Sequence, residues 1–372
     1  MRRLRRLAIV ALLIISSVAI EWLFLTGTPP SGQALAEAFL PAAPRAPVQY
    51  LRPDFQTGVV FPRWGASAYT SHDSNYGIGL GEIQDQTAAR WIELTINLRQ
   101  VAYNSTTVYA DPASATPASL AEGVATAHAR GFKVFIEPLL SLETPAPDGS
   151  RWAGAIHFPH HPKDIGPWFE SYWQALKPYM EVAQRTHVEQ MAVGTELEDL
   201  EGAPAIYWYW LIAQARSVYS GRLTYDMNFS ALTHSLRVWM RDPSLAAIGI
   251  SFYRTIATTI EPRSPEAVAE LWAKVAGEPL DVFARRLGRP IFLSEIGYRN
   301  SADALFRPFD YATSAPPDPA LQAAAYNAAL LYALSDPYIH GIYFWAWSVP
   351  PFSPNWLPAA RTLKGWYTSP MA

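Results

Sequence analysis

The stretch Gln190-Met191-Ala192-Val193-Gly194-Thr195-Glu196 is apolar without alternation, carries a glycine near its end and closes on a carboxylate. A run of that kind fits a parallel strand covered on both faces, because an amphipathic strand would alternate polar and apolar residues. Seven further runs share its length and turn-bounded setting: Thr57–Pro62, Arg90–Ile96, Phe132–Pro138, Arg222–Asn228, Ala246–Phe252, Pro290–Glu295 and Ile339–Trp347. Between them lie helical patterns at Ala118–Arg130, Pro167–Arg185, Ala203–Tyr219, Pro265–Leu287 and Pro319–Leu334, with proline in early turns and Gly131 or Gly221 just past the ends. Strand alternates with helix throughout, and eight such units suit a closed (β/α)8 TIM barrel better than an open sheet. No internal repeat or interior linker divides the region, so residues 54–372 are expected to form a single domain.

The chain has 372 residues, half of them hydrophobic and 16% charged, with 14 Trp, 19 Tyr and 16 Phe. Such a composition excludes a disordered chain. The net charge of −3 offers no polycationic face for nucleic acid. The absence of cysteine removes disulfides, thiolate metal sites and thiol nucleophiles. Ahead of the barrel, Arg2, Arg3, Arg5 and Arg6 precede the apolar run Leu7–Ile20, the pattern of an export signal. Apolar residues resume at Trp22–Leu25, and Ala34 and Ala36 form a small-residue cleavage pattern, so residues 1–36 read either as a cleaved signal peptide or as a membrane anchor. Residues 37–53, rich in proline and alanine, read as a linker. An extracytoplasmic location follows as an expectation, secreted or anchored to the membrane.

In a (β/α) barrel the reactive groups sit at the C-terminal ends of strands. Two of the eight runs end in glutamate, the fourth at Glu196 and the seventh at Glu295, roughly opposite one another across the barrel mouth. Cleavage of a glycosidic bond needs two such carboxyls, one to protonate the leaving oxygen and one to attack the anomeric carbon or to activate water. Each has a plainer explanation. Glu196 is followed by Glu198, Asp199 and Glu201, and acids favour a first helical turn; Glu295 could pair with a cation at the rim.

From Thr57 to Tyr367 the chain resembles glycoside hydrolase family 113. The matching stretches are Ala89–Leu94 with Gln100, Thr116-Pro117, Ala127–Val134, Gly194-Thr195-Glu196-Leu197, Tyr219–Tyr225 with Asn228, Ile248-Gly249-Ile250 with Tyr253, and Ser294-Glu295-Ile296-Gly297-Tyr298-Arg299. The resemblance implies a retaining β-glycosidase, acting most often on β-1,4-mannan, with Glu196 as general acid/base and Glu295 as nucleophile. It also implies that Tyr253 hydrogen-bonds the nucleophile, that Asn228 and Gln100 meet sugar hydroxyls, and that Trp345 and Trp347 provide a stacking platform, Trp347 standing nearer the mouth. Trp64 and Tyr69, after the first strand, are further wall candidates. One departure stands out. Where the family commonly reads Lys-Pro-His-Val-Asp after the third strand, this chain has Glu137-Pro138-Leu139-Leu140-Ser141, which bears on the sugar recognised.

Other motifs carry less. His157, His160 and His161 are separated by prolines that prevent a helical metal pair. Tyr76-Gly77-Ile78-Gly79-Leu80-Gly81 lacks the spacing of a dinucleotide turn and reads as a rim loop, and no Gly-x-Ser-x-Gly elbow is present. The expected protein is therefore a monomeric polysaccharide hydrolase needing neither metal nor cofactor. The alternatives are a glycosidase or transglycosylase for another β-linked or cell-envelope glycan, and a barrel that binds glycan at the cell surface without cleaving it.

Overall fold

Strands β1 (Gln56–Val60), β2 (Trp91–Gln100), β4 (Lys133–Leu142), β5 (Gln190–Thr195), β6 (Arg222–Asn228), β7 (Leu245–Ser251), β8 (Ile291–Ile296) and β9 (Ile339–Phe344) pair in parallel, and β1 pairs with both β9 and β2, which closes the barrel. A two-residue strand β3 (Tyr109–Ala110) runs antiparallel to the end of β2. These features belong to a computed structural model that describes residues 51–158, 161–233 and 236–369. The export segment and most of the linker lie outside the described residues. At the end of the linker stretch Leu51 is buried and Arg52 donates to the carbonyls of Asp336 and Ile339.

Helices α1 (Ser74–Thr87), α2 (Pro117–Ala129), α3 (Ile165–Arg185), α4 (Ala205–Val218), α5 (Pro265–Trp272), α6 (Glu278–Leu287), α7 (Pro319–Ser335) and α8 (Pro358–Tyr367) cover the outside. Proline pre-set for the first helical position starts α2, α5, α7 and α8. Side chains of Thr116, Ser264 and Asp318 accept the free amides of Ser119, Ala267 and Leu321 at the starts of α2, α5 and α7. The expected single helix over Pro265–Leu287 is divided by a π turn at Ala273–Gly277, where Gly277 has no room for a Cβ against Tyr332. The crossover from β6 to β7 holds two short 3-10 segments, Phe229–Thr233 and Val238–Arg241, in place of an α-helix among the described residues.

The glycine-rich stretch expected as a rim loop is helix α1. One of its glycines is required by packing: a Cβ at Gly79 would enter the ring of Phe61. Helix propensity alone favours Gly79→Ala by about 1 kcal/mol, whereas forcing a methyl into a packed ring costs about 1 to 3 kcal/mol. Gly79→Ala is therefore expected to lower the urea midpoint. A rise would show that Phe61 yields.

Two apolar cores result. One, including Val59, Leu94, Val134, Leu211 and Trp272, fills the space between strands and helices. The other, including Val60, Trp91, Phe135, Ala192, Phe292 and Tyr343, fills the barrel interior. The second core is overlaid by carboxyl groups toward the C-terminal ends of the strands, and these build the site.

Candidate active site

Strand β5 gives out at Thr195, and Glu196 follows with φ 51°, a left-handed backbone uncommon for a residue with a Cβ. Its amide is tied to the carbonyl of Asp226 at 2.7 Å and the next amide, of Leu197, to the Tyr225 hydroxyl at 3.2 Å, so the turn is held from β6. The strained turn aims the carboxylate across the mouth. Its Oε1 accepts from Asn228 Nδ2 at 2.7 Å and its Oε2 from Trp152 Nε1 at 2.6 Å. Burial raises its pKa, and those two bonds oppose the rise.

Glu295 is the penultimate residue of β8, 8% exposed, and its carbonyl accepts from the Phe252 amide at 2.6 Å. The same loop presents Tyr253, whose hydroxyl donates to Glu295 Oε2 at 2.7 Å. Burial pushes the Glu295 carboxyl well above the ordinary range, with Glu137 and Glu196 adding to the push and the Tyr253 bond resisting it. Both glutamates border one cavity of about 670 Å³. Its remaining wall is largely aromatic: Trp152, Phe229, Tyr253, Phe309, Tyr311, Trp345 and Phe352. Such rings stack on the C–H faces of pyranoses, while Glu198, held by Ser230 Oγ at 2.6 Å, supplies a polar edge.

The structure brings Glu196, Glu295, Tyr253, Asn228 and Trp345 together around this cavity. It does not bring the other expected residues. Gln100 is fully buried, accepting from Trp168 Nε1 at 2.7 Å and donating to the Ala102 carbonyl at 2.7 Å, so its amide is spent inside the fold. Trp345 and Trp347 do not share a strand face, because β9 ends at Phe344 and the chain turns; Trp345 joins the barrel-interior cluster and Trp347, fully buried, the outer core. Trp345 therefore lines the cavity and Trp347 does not. Trp64 is 56% exposed and lies outside the cavity wall. Tyr69 is buried, its hydroxyl bonded to the Thr95 backbone. His157 faces Asp199 at 3.3 Å, and His160 lies outside the described residues.

Trp152 was not foreseen. It lies in the long loop after β4, where no periodicity marks it, and returns to the mouth through an antiparallel bridge to Ser141. Glu93 and Glu137 did carry a signal, a charge in the middle of an apolar strand. Both are completely buried, and their carboxyl oxygens lie within 4.8 Å of each other and of Glu295. No other group of three or more His, Asp and Glu among the described residues is close enough to share a cation.

The family model for Glycoside Hydrolase Family 113 matches residues 66–356. Among solved structures, a family 113 β-1,4-mannanase in a complex superposes with a TM-score of 0.70 at 22% identity, covering 85% of this chain and 99% of that one. The family 113 β-mannanase of Alicyclobacillus acidocaldarius gives 0.71 at 22% identity over 84% and 97%. A family 5 mannosidase of Rhizomucor miehei gives 0.58 at 13% identity over 86% and 94%. No curated protein matches the chain by sequence. With the model spanning most of the barrel and the two carboxyls on one cavity, the chain belongs to glycoside hydrolase family 113 and is a glycoside hydrolase.

Proposed function

We propose that the chain hydrolyses β-1,4-linked mannan with retention of configuration, Glu196 serving as general acid/base and Glu295 as nucleophile. The observation that carries this reading is the pair of unlike settings on one cavity: Glu295 held by the Tyr253 hydroxyl, Glu196 held by two N–H donors. In the first step Glu196 gives its proton to the glycosidic oxygen while a Glu295 oxygen bonds to the anomeric carbon and the leaving sugar departs. In the second, Glu196 takes a proton from water as that water displaces Glu295. Proton ownership alternates, and the enzyme is restored.

Mannan as substrate rests on the β-mannanases that the fold resembles. The altered stretch within β4 favours a second reading, another β-linked glycan, since Glu137-Pro138-Leu139 places neither His nor Asp there. Release of reducing ends from mannan, glucan, xylan and chitosan separates the two. Mannan alone supports the first reading, another polymer the second, and binding without release of sugar refutes both. The arginine-led apolar N-terminus supports export to an extracytoplasmic site. No helix among the described residues is long and apolar enough to cross a membrane.

Trp152 adds a prediction. Its indole N–H favours the ionised form of Glu196, so Trp152→Phe raises the pKa of that acid. The acid then stays protonated to higher pH, and the descending limb of kcat/KM moves upward. A limb that stays in place or moves downward would contradict the contact.

A further inference from the structure

Chemistry at Glu295 requires a carboxylate, yet that carboxylate rests on a bed of buried acids. Glu93 from β2, Glu137 from β4 and Asp226 from β6 are all 0% exposed. Glu137 Oε1 accepts from Thr195 Oγ1 at 3.2 Å. As carboxylates, both oxygens of Glu93, Oε2 of Glu137 and both oxygens of Asp226 would have no donor at all. As carboxylic acids they can bond one another, since Glu93, Glu137 and Glu295 each bring a carboxyl oxygen within 4.8 Å of the others and Asp226 acts on Glu137 from beside them. Asp226, outside the trio of Glu93, Glu137 and Glu295 but acting on the last two, fills the space over Gly249 where a Cβ would sit.

We infer that Glu137 is a positioning residue for the nucleophile: protonated in the barrel interior, it donates a hydrogen bond to Glu295 and holds that carboxylate ionised and oriented beside Tyr253. The inference rests on the assignment of Glu295 as nucleophile. An unpaired buried charge costs far more than a buried neutral acid with a partner, so the proton stays on the deep member. A proton on Glu137 removes the largest charge acting on Glu295, and a neutral acid that donates to a carboxylate favours the ionised form of its acceptor. Burial, then the charge of Asp226, raises the Glu137 carboxyl well above the ordinary range, and burial lifts Asp226 to about 8. The titratable groups facing this cluster are Glu93, Asp226 and Glu295, with Glu196 and Tyr253 above and Tyr343 from β9.

The test compares Glu137→Gln with Glu137→Leu in the full chain on an activated aryl β-glycoside. The amide keeps a donor and cannot ionise, so Glu137→Gln should keep kcat within about threefold of the parent. Its ascending limb of kcat/KM should hold its place or move to lower pH. Glu137→Leu removes a bond to a charged acceptor, so kcat should fall roughly 10- to 100-fold with KM little changed, and the ascending limb should move to higher pH. Equal losses in both variants, or limbs unmoved in both, would overturn the inference. A second readout needs no substrate and no folded leucine variant. The infrared difference between parent and Glu137→Gln at neutral pH should show the carbonyl stretch of a protonated carboxylic acid in the parent. A carboxylate band in its place overturns the inference. Conversely, a protein that shows the acid band but cleaves no glycoside contradicts the assigned function and leaves the proton on Glu137.

Discussion

Glu295→Ala should lose turnover by on the order of 10⁴-fold or more, on polysaccharide and on activated aryl glycosides alike, with substrate affinity retained. Both substrates suffer because the residue forms a covalent bond in the first step whatever the leaving group. Affinity survives because the aromatic wall, Trp345 and Tyr311 included, is untouched. Removing the side chain also opens a space beneath the Tyr253 hydroxyl, on the side from which the nucleophile attacked. Added azide can enter that space and attack the anomeric carbon from the same side. With an aryl β-glycoside it should restore release of the aryl group and give the α-glycosyl azide. Formation of the β-azide, or a variant that keeps more than a few per cent of the parental rate, would remove Glu295 from the nucleophile's role.

The barrel was legible because its strands are buried on both faces and its helices begin with proline and capping residues; both are local features that a sequence displays. Arg222–Asn228 coincides with β6, and most other ends shift by a residue or two. Helix α1 was not legible, since Gly77, Gly79 and Gly81 mask its pattern and Gly79 answers to Phe61, a neighbour outside the helix. The two glutamates were legible for the same reason as the strands they close. Gln100 and Trp347 misled because position near a strand's end does not determine direction. Gln100 was claimed by Trp168 from α3, and Trp347 was turned outward when the chain left β9. Trp152 had no signal, because the loop that returns it is fixed by a bridge to Ser141 and not by pattern. Glu93 and Glu137 had the reverse problem. The sequence displayed charges inside apolar runs, and only the closed barrel shows that they meet.

Glu196→Ala should separate substrates by the leaving group they carry. On polysaccharide the leaving alkoxide needs a proton, so turnover should fall by about 10²- to 10⁴-fold, the usual worth of a positioned general acid. An aryl glycoside with an acidic phenol leaves without that proton, and its first step should proceed at close to the parental rate. The second step still lacks a base to activate water, so the glycosyl enzyme on Glu295 should accumulate. A burst of phenol equal to the enzyme concentration should precede a slow steady state, and the apparent KM should fall because the covalent intermediate dominates. Azide needs no general base, and here it enters from the vacated Glu196 side to give the β-glycosyl azide, the configuration opposite to that from Glu295→Ala. The same substitution leaves Asn228 Nδ2 and Trp152 Nε1 without their shared acceptor, two donors that only a carboxylate there satisfies. Their loss lowers stability, so the comparison is made at a temperature where both proteins are folded. Equal losses on polysaccharide and aryl glycoside, with no burst, would mean that Glu196 holds the site together but passes no proton. The division between the two substrates is thus a property of proton transfer alone, since a cavity or a lost hydrogen bond slows both in the same proportion.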